Sequence, residues 1–463
     1  MHSDVLIVGA GSSGCVLAER LSADPSCQVT LVEAGVAAAP EHSWVLPIGP
    51  HSALASHYRT ALTEQPIRPA GIVRGRVLGG SGAINGGYFC WAAPADFERW
   101  ALPGWSWDEV LAHYRAIETD HDVAVGHGTH GPIPVRRSRT FAPSSQRFLD
   151  GATGHFDWRA DLNDPTGPAP GLGAIPRNVD EAGWRYGPDR AFLAATLGRP
   201  NLRVATGTRV VRIGFTGSRA DALDCVGPGG AFELRADRIV LCAGAIESAL
   251  LLLRSGVGPA GELAAAGVAV VADLPVGCHS ADHPEWLIPV DWPGAAGLAP
   301  IEVALSTDRL EIRPYTCGFG AMTGAPGGPD PVHVGISLMH PRSRGRLRLG
   351  SADPDAPALI EHRYDADPAD LAELRGGVQL LRELFGDAIG SGEPVWSTAQ
   401  HLSATAPMGT DGDPWAVLDA RCRVRGVTGL QVVDASGLPR VTGRGPHATI
   451  VMAAHRAAEF ICG

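Results

Sequence analysis

Val5-Leu6-Ile7-Val8-Gly9-Ala10-Gly11-Ser12-Ser13-Gly14, continuing to Leu31-Val32-Glu33-Ala34-Gly35, decides the fold. Four apolar residues without polar alternation suit a strand buried on both faces of a parallel sheet. Three glycines then allow a tight turn, close approach to a pyrophosphate, and close helix–strand packing. Apolar residues recur at helical spacing from Cys15 to Leu21, so the free N–H groups and positive end of that helix would face phosphate. A second apolar strand, Val29 to Val32, ends in Glu33, nineteen residues after Gly14. A carboxylate there suits a ribose 2′-hydroxyl and repels a 2′-phosphate. The unit is a dinucleotide site with Gly9, Gly11, Ser12, Ser13, Gly14, Glu33 and Ala34 around the ligand. It leaves open whether the dinucleotide is NAD or FAD, and whether it is a substrate or resident.

Outward from this motif, the chain has the length for a large core and more than one domain. Its 38 basic and 49 acidic residues give a net charge of −11, which argues against nucleic acid as a partner. Nine cysteines are scattered without a CxxC pair, so neither a zinc site nor a disulfide framework is expected, and no metal is assigned. Cys15 and Cys242 lie in apolar runs and read as small buried hydrophobes. The opening strand starts at residue 4 or 5 and leaves no room for a signal peptide. The apolar run Ala243 to Leu253 contains Glu247 and ends at Arg254, too short and too charged to span a membrane. A cytoplasmic protein is expected, with peripheral membrane contact as the most a membrane offers it.

Arg74-Gly75-Arg76-Val77-Leu78-Gly79-Gly80-Ser81-Gly82-Ala83-Ile84-Asn85-Gly86-Gly87 holds six glycines in fourteen residues. Such a segment lets backbone lie directly against a flat or phosphorylated ligand. The interleaved Val77, Leu78 and Ile84 separate it from a flexible linker, which is polar throughout. Further on, Asn201 to Val211 reads as a strand pair with Leu202, Val204, Val210 and Val211 apolar. Arg238 to Gly244 reads as another buried parallel strand closing in a glycine turn, followed by a Leu-rich helix from Glu247 to Leu253. Arg346-Leu347-Arg348-Leu349 alternates as a half-solvated strand does. Residues 365 to 386 form an amphipathic helix with Leu371, Leu374, Val378, Leu381 and Leu384 on its core face.

With the Arg74–Gly87 loop beside the opening motif, the chain resembles the glucose-methanol-choline family of FAD-dependent oxidoreductases. Further similar blocks are Asp96 to Trp100 with Pro103 to Trp107, Gly244 to Pro259 (Ala249 standing where proline is usual), Leu274 to Gly277 with Asp282-His283-Pro284, and His340 to Gly345. The resemblance implies an α/β fold: a Rossmann-like FAD-binding domain with a parallel sheet (1–134, 191–285 and 406–463) and a discontinuous α+β substrate-binding domain with an antiparallel sheet (135–190 and 286–405). It places Arg76, Leu78, Gly79, Gly80, Ser81, Ile84, Asn85 and Gly86 at the flavin, Val210 or Val211 at the adenine end, and Ala243, Gly244, Asp434 and Ala435 along the ribityl-pyrophosphate. His447 and Ala448 open the last helix against the flavin N1/C2=O edge. Ile84 stands where some members carry a flavin-linking histidine, so noncovalent FAD is implied. The piece between His283 and His340 is short for this family, which suggests an open pocket.

His401, in His401-Leu402-Ser403-Ala404-Thr405-Ala406-Pro407-Met408-Gly409, matches the first active-site histidine, and His447 the second, which is histidine or asparagine in the family. An alcohol proton needs a base to leave at pH 7, and a neutral imidazole can accept it. His401 is assigned as the base and His447 as the group that orients the alkoxide, the reverse division being equally compatible with the residues. His283 falls in a block read as structural, and His340 and His455 receive no role. A GxSxG elbow is absent, so serine-hydrolase chemistry is set aside.

The implied activity is oxidation of an alcohol to a carbonyl with hydride transfer to flavin N5. The compact length resembles the mycofactocin-associated branch, whose substrate is a reduced, peptide-derived redox cofactor and whose electrons pass to a respiratory acceptor. The rivals are a small-alcohol or choline-like dehydrogenase, a sugar or glycoside oxidase reducing oxygen, and a flavin-bound lyase or binding protein without net oxidation. A quinone is a further candidate acceptor. Choline is disfavoured, because no aromatic cage can be picked out of a chain with 6% aromatics.

Overall fold

The computed structural model describes residues 2–37, 42–167, 170–325 and 327–462. The opening run forms the strand His2–Val8, and its last four residues are buried. It lies between Val29–Val32 and Gly230–Leu241, both parallel to it, with Val8 level with Val32 and Leu241. The carboxyl ends of three parallel strands are therefore aligned, and Gly9, Glu33 and Ala243 follow them directly. This is the end of an open α/β sheet at which ligands bind. Among the described residues the sheet has seven strands, with Leu202–Ala205 outside Val29–Val32 and Leu430–Val432 paired parallel to Gly230–Leu241.

Gly230–Leu241 shows how sequence sets pairing. Its first half is mostly exposed, with Leu234 the one buried residue, and pairs antiparallel with Arg219–Gly227. Its last three residues, Ile239, Val240 and Leu241, are all buried and pair in parallel. The expected pairing within Asn201 to Val211 is corrected here. Both strands exist, but Leu202–Ala205 joins Val29–Val32, whereas Arg209–Thr216 pairs antiparallel with Arg219–Gly227. Two short apolar runs declare strands without declaring partners. The helices Ser12–Leu21 and Gly244–Arg254 follow their strands, and the terminal helix His447–Cys462 packs against Ser12–Leu21.

A second sheet is mainly antiparallel, in the order Val395–Thr398, Pro284–Val290, Val332–Leu338, Leu310–Pro314, Val303–Ser306, Gly171–Ala174, Trp158–Arg159. The helix Pro368–Phe385 covers it: the Asp367 carboxylate accepts the Ala369 N–H at 2.9 Å as its cap, and Pro368 occupies the first turn. Leu374, Val378 and Leu381 are buried in one cluster with Phe148, Trp286, Ile312 and Ile336, each contributing about 2 kcal/mol by leaving water.

Arg346–Arg348 is a strand, as its alternation predicts, yet it pairs with Leu359–Glu361 in a small sheet completed by Ala55–Glu64 and Ile67–Gly75. Leu347 and Ile360 enter the core of the nucleotide sheet rather than that of the second sheet. The cause is local: the Leu347 N–H donates to Gly277 O at 2.9 Å, on a loop that follows the first-sheet elements. This stretch, expected in the substrate part 286–405, therefore packs with the nucleotide part. No helix of the described residues is long and apolar enough to cross a membrane.

Candidate functional site

The first turn is built by close approach. Gly9 has φ +98°, and a Cβ there would fall 2.6 Å from Cys242 O; one on Gly14 would fall 1.9 Å from Gly9 O. A Cβ on Gly80 would lie 2.7 Å from the Gly11 Cα, and the Gly79 N–H donates to Ala10 O at 2.7 Å, so the second glycine loop docks on the first. Gly11 differs, since a Cβ there meets nothing nearer than 3.8 Å. Ser12–Leu21 begins at this opening with no side chain capping its N–H groups, and the Ser13 hydroxyl is enclosed without a partner. Uncapped donors, an orphaned hydroxyl and an open cradle fit a pyrophosphate.

Glu33 is buried, its oxygens accepting the Ala10 N–H at 2.8 Å and the Gly35 N–H at 2.7 Å. Burial pushes its carboxyl above the usual range against these two hydrogen bonds and the Arg76 charge. One lone pair per oxygen stays available for a ribose. The Gly207 and Thr208 N–H groups donate to Gly35 O and Glu33 O at 2.8 and 2.9 Å, which brings the strand of Val210 and Val211 beside Ala34. Asp434 is engaged otherwise: its carboxylate accepts from Gly244 N, Ser248 Oγ and Ser436 N at 2.8, 2.6 and 2.8 Å. It anchors the turn after Leu430–Val432 to the helix Gly244–Arg254 next to Ala243, and leaves contact with a ligand to the backbone of Asp434 and Ala435. The Ala404 N–H donates to Ala435 O at 2.9 Å, so the His401 block is tied to the same turn.

In the second loop Ser81–Ile84 makes one helical turn, its Ser81 hydroxyl accepting the Gly75 N–H at 3.0 Å. Ile84 is buried with Val77 and Ala83; Leu78 is half-buried and Arg76 exposed. The Arg185 guanidinium donates to Ala83 O at 2.7 Å and to Asn85 O, which fixes the loop just before Gly86. The Asn85 amide donates to His447 Nδ1 at 3.2 Å. His447 stands at the first turn of the last helix, followed by buried Ala448; its Nε2 is enclosed without a partner beside Gly82, and burial lowers its pKa to about 4.

His401 has other company. Its main-chain N–H donates to Asp282 Oδ1 at 2.8 Å, its Nδ1 lies 2.8 Å from His283 Nδ1, and among the described residues no hydrogen bond reaches its Nε2. Burial holds its imidazole well below the usual range, assisted by His283, Arg313 and Arg74. His401 and His447 are not hydrogen-bonded to each other among the described residues: Asn85 reaches the His447 ring, and the imidazole joined to His401 is His283. Gly445 lies between them in the chain, a Cβ there falling 3.4 Å from the His401 ring and 3.0 Å from Tyr88. The Tyr88 hydroxyl donates to Glu311 at 2.6 Å; Arg313 reaches Glu311 at 2.7 Å and Glu285 at 2.9 Å, and Arg444 reaches Glu311 at 3.2 Å. Tyr88, Glu285, Glu311, Arg313 and Arg444 receive no role from sequence; Asp282-His283-Pro284 is the visible signal, read there as structural. An open cavity of about 640 Å³ along Pro289–Trp292 and Cys317 shares no residue with this site.

The family model described as GMC oxidoreductase matches residues 3–285 in its N-terminal part and 341–454 in its C-terminal part. A GMC-type oxidoreductase of Rhodococcus erythropolis is 41% identical, covering 100% of this chain and 99% of the relative. An oxygen-dependent choline dehydrogenase of Rhizobium etli is 30% identical over 100% of this chain and 96% of its own length. The crystal structure of pyridoxine 4-oxidase from Mesorbium loti superposes with a TM-score of 0.88 at 29% identity, covering 99% of this chain and 98% of that one.

Proposed function

Since this chain belongs to the GMC oxidoreductase family and is an FAD-dependent oxidoreductase acting on CH–OH donors, we propose that it oxidises an uncharged alcohol to a carbonyl, with His401 taking the hydroxyl proton. When bound, FAD supplies the hydride acceptor. Gly9, Gly11, Ser12, Ser13, Gly14, Glu33 and Ala34 would hold its adenosine and pyrophosphate end, with Val210 or Val211 at the adenine and the backbone of Ala243, Gly244, Asp434 and Ala435 along the chain. Arg76, Leu78, Gly79, Gly80, Ser81, Ile84, Asn85 and Gly86, with His447 and Ala448, would hold the flavin end. Ile84 offers no nucleophile for a covalent link, so the FAD is proposed to be noncovalent; a yellow pellet after acid precipitation speaks against this.

The observation that carries the reading is the state of His401: an imidazole kept neutral by burial, with Nδ1 held by His283 and Nε2 free of hydrogen bonds among the described residues. A base of this kind accepts the proton as the C–H bond breaks, and alkoxide character develops beside it. His447, also neutral, sits at a helix N-terminus, whose donors favour negative charge.

The preference for an uncharged substrate rests on charge pairing. Glu311, which accepts the Tyr88 hydroxyl, and Glu285 are both engaged by Arg313, and Glu311 also by Arg444. Two carboxylates meet two guanidiniums, which leaves no net negative charge for a quaternary ammonium. Anaerobic stopped-flow bleaching of the flavin with a benzylic alcohol, pyridoxine, a mycofactocinol-type alcohol and choline tests this. Bleaching by an uncharged alcohol with choline at least tenfold slower is expected, and choline as the fastest substrate overturns it. Mixing the reduced enzyme with oxygen or a quinone analogue identifies the acceptor.

A further inference from the structure

We infer that His283 is a positioning residue that fixes the tautomer of His401, so that the proton-free nitrogen of His401 is Nε2. The inference rests on the reading of His401 as the base, and extends it to a residue outside the expected histidine pair.

The chain of hydrogen bonds starts at the main chain. His283 is fully buried, and its Nε2 lies 2.8 Å from Thr442 O. A carbonyl oxygen only accepts, so the proton of this contact belongs to His283 Nε2. A neutral imidazole carries one N–H, and His283 Nδ1 is therefore a bare lone pair. The 2.8 Å contact between that atom and His401 Nδ1 needs one proton, which His401 must supply. His401 is then protonated on Nδ1 and unprotonated on Nε2, the nitrogen that no group of the described residues hydrogen-bonds. Burial holds both imidazoles below their usual range, which keeps each at one proton.

Asp282 holds the two residues in register. Its Oδ1 accepts the main-chain N–H groups of both His283 and His401 at 2.8 Å, and its Oδ2 accepts from Tyr364 at 2.9 Å and Thr398 at 2.7 Å. The rings stand nearly perpendicular at 86°, with centroids 5.0 Å apart. In a serine-protease triad a carboxylate sets the tautomer and also stabilises the imidazolium. Here the acceptor is a neutral imidazole, so the tautomer is set while the base stays weak. The groups around the pair that carry or take up charge are Asp282, Glu311, Arg313, Arg74 and His362.

The test reads the tautomer directly. In ¹⁵N-histidine-labelled holoenzyme, with the His401 signals identified by their loss in His401→Ala, multiple-bond ¹H–¹⁵N correlation should show His401 as the Nδ1–H form. His283→Leu should shift it toward the Nε2–H form and slow flavin reduction about 30-fold with little change in KM, a smaller loss than the one recorded for a triad that loses its tautomer-setting carboxylate. His283→Asn, which can present an acceptor oxygen toward His401, should restore the Nδ1–H form and most of the rate. An Nε2–H form in the unmodified enzyme overturns the inference, as does His283→Leu with both tautomer and rate unchanged. His401→Ala reducing as fast as the unmodified enzyme would instead defeat the base assignment, while the tautomer spectrum still decides the role of His283.

Discussion

Two of the clusters that bury histidine in this molecule have opposite outcomes. His127, packed on Trp91, has Nδ1 2.8 Å from Glu118 and Nε2 2.9 Å from Asp161, and its side chain is inaccessible. Burial opposes its charge, but the hydrogen bonds and charges of Asp161 and Glu118 prevail and raise its pKa to about 9. His283 lies as deep and His401 is partly buried beside it, yet their nitrogens meet another imidazole and a main-chain carbonyl, and burial prevails. What each nitrogen faces decides the charge, not depth alone. Glu118, Asp120 and His127 bring ligand atoms within 4.8 Å of one another, as a metal site does. Arg137, 2.9 Å from both Asp120 oxygens and 2.7 Å from Asp161, and the imidazolium already supply positive charge there. One cluster anchors Trp91, which donates to Glu118 at 3.0 Å, and the other is ready to take a proton.

The sharpest division of these roles is kinetic. His401→Ala should lower the rate of flavin reduction by about 10³ in stopped flow, in the range a general base contributes, whereas His127→Gln should leave it within a few-fold in folded holoenzyme. The reverse pattern would undo the comparison. Stability should divide the other way: His127→Gln should cost about 3 kcal/mol in denaturant unfolding at pH 7, because it strips the imidazolium from the buried Glu118 carboxylate and leaves Asp161 with Arg137 alone.

A pH series separates them further. His127 has a folded pKa above its ordinary 6.5, so the stability it supplies is fully present below 6.5 and disappears as pH rises through about 9. Unfolding free energy should therefore fall between pH 7 and 10, and this fall should be much smaller in His127→Gln. His401 and His283 have depressed values, so the unfolded chain binds more protons below 6.5 and their effect is to lower stability as pH falls beneath it. As bases they stay unprotonated there, so the acid limb of kcat/KM should lie below the ordinary imidazole range.

Legibility in the sequence followed the range of the interaction. The opening motif was readable because turn, helix and acidic strand end are neighbours in the chain, and their roles follow from backbone freedom and helix ends. The helix Pro368–Phe385 was readable from its period. The strand at Arg346 was visible from alternation, but its sheet was not, since pairing with Leu359–Glu361 and docking on Gly277 O are tertiary matters. The bond between His283 and His401 spans 118 positions, and nothing local marks it. Matching histidines to family positions singles out His401 and His447 but not the contacts their rings make, His401 with His283 and His447 with Asn85 and Gly82 of the glycine loop.

The smallest effect expected tests why carboxylates charge one histidine cluster and not the other. Glu311 lies near His283 and favours its protonation, while Arg313 opposes it, and Arg444 draws part of the Glu311 field to itself at 3.2 Å. Arg444→Gln keeps Arg313 on both carboxylates but leaves the wall beside Tyr88 more negative. The site should then move a short way toward the condition of His127. The acid limb of kcat/KM should rise, and the ratio of kcat/KM for choline over a benzylic alcohol should increase about threefold, the size of a partly screened charge in a polar interior. A folded variant with both quantities unchanged would mean that the pairing of Glu311 with Arg444 sets neither the charge of the histidines nor the charge of the substrate. The neutrality of the reaction site would then rest on burial alone.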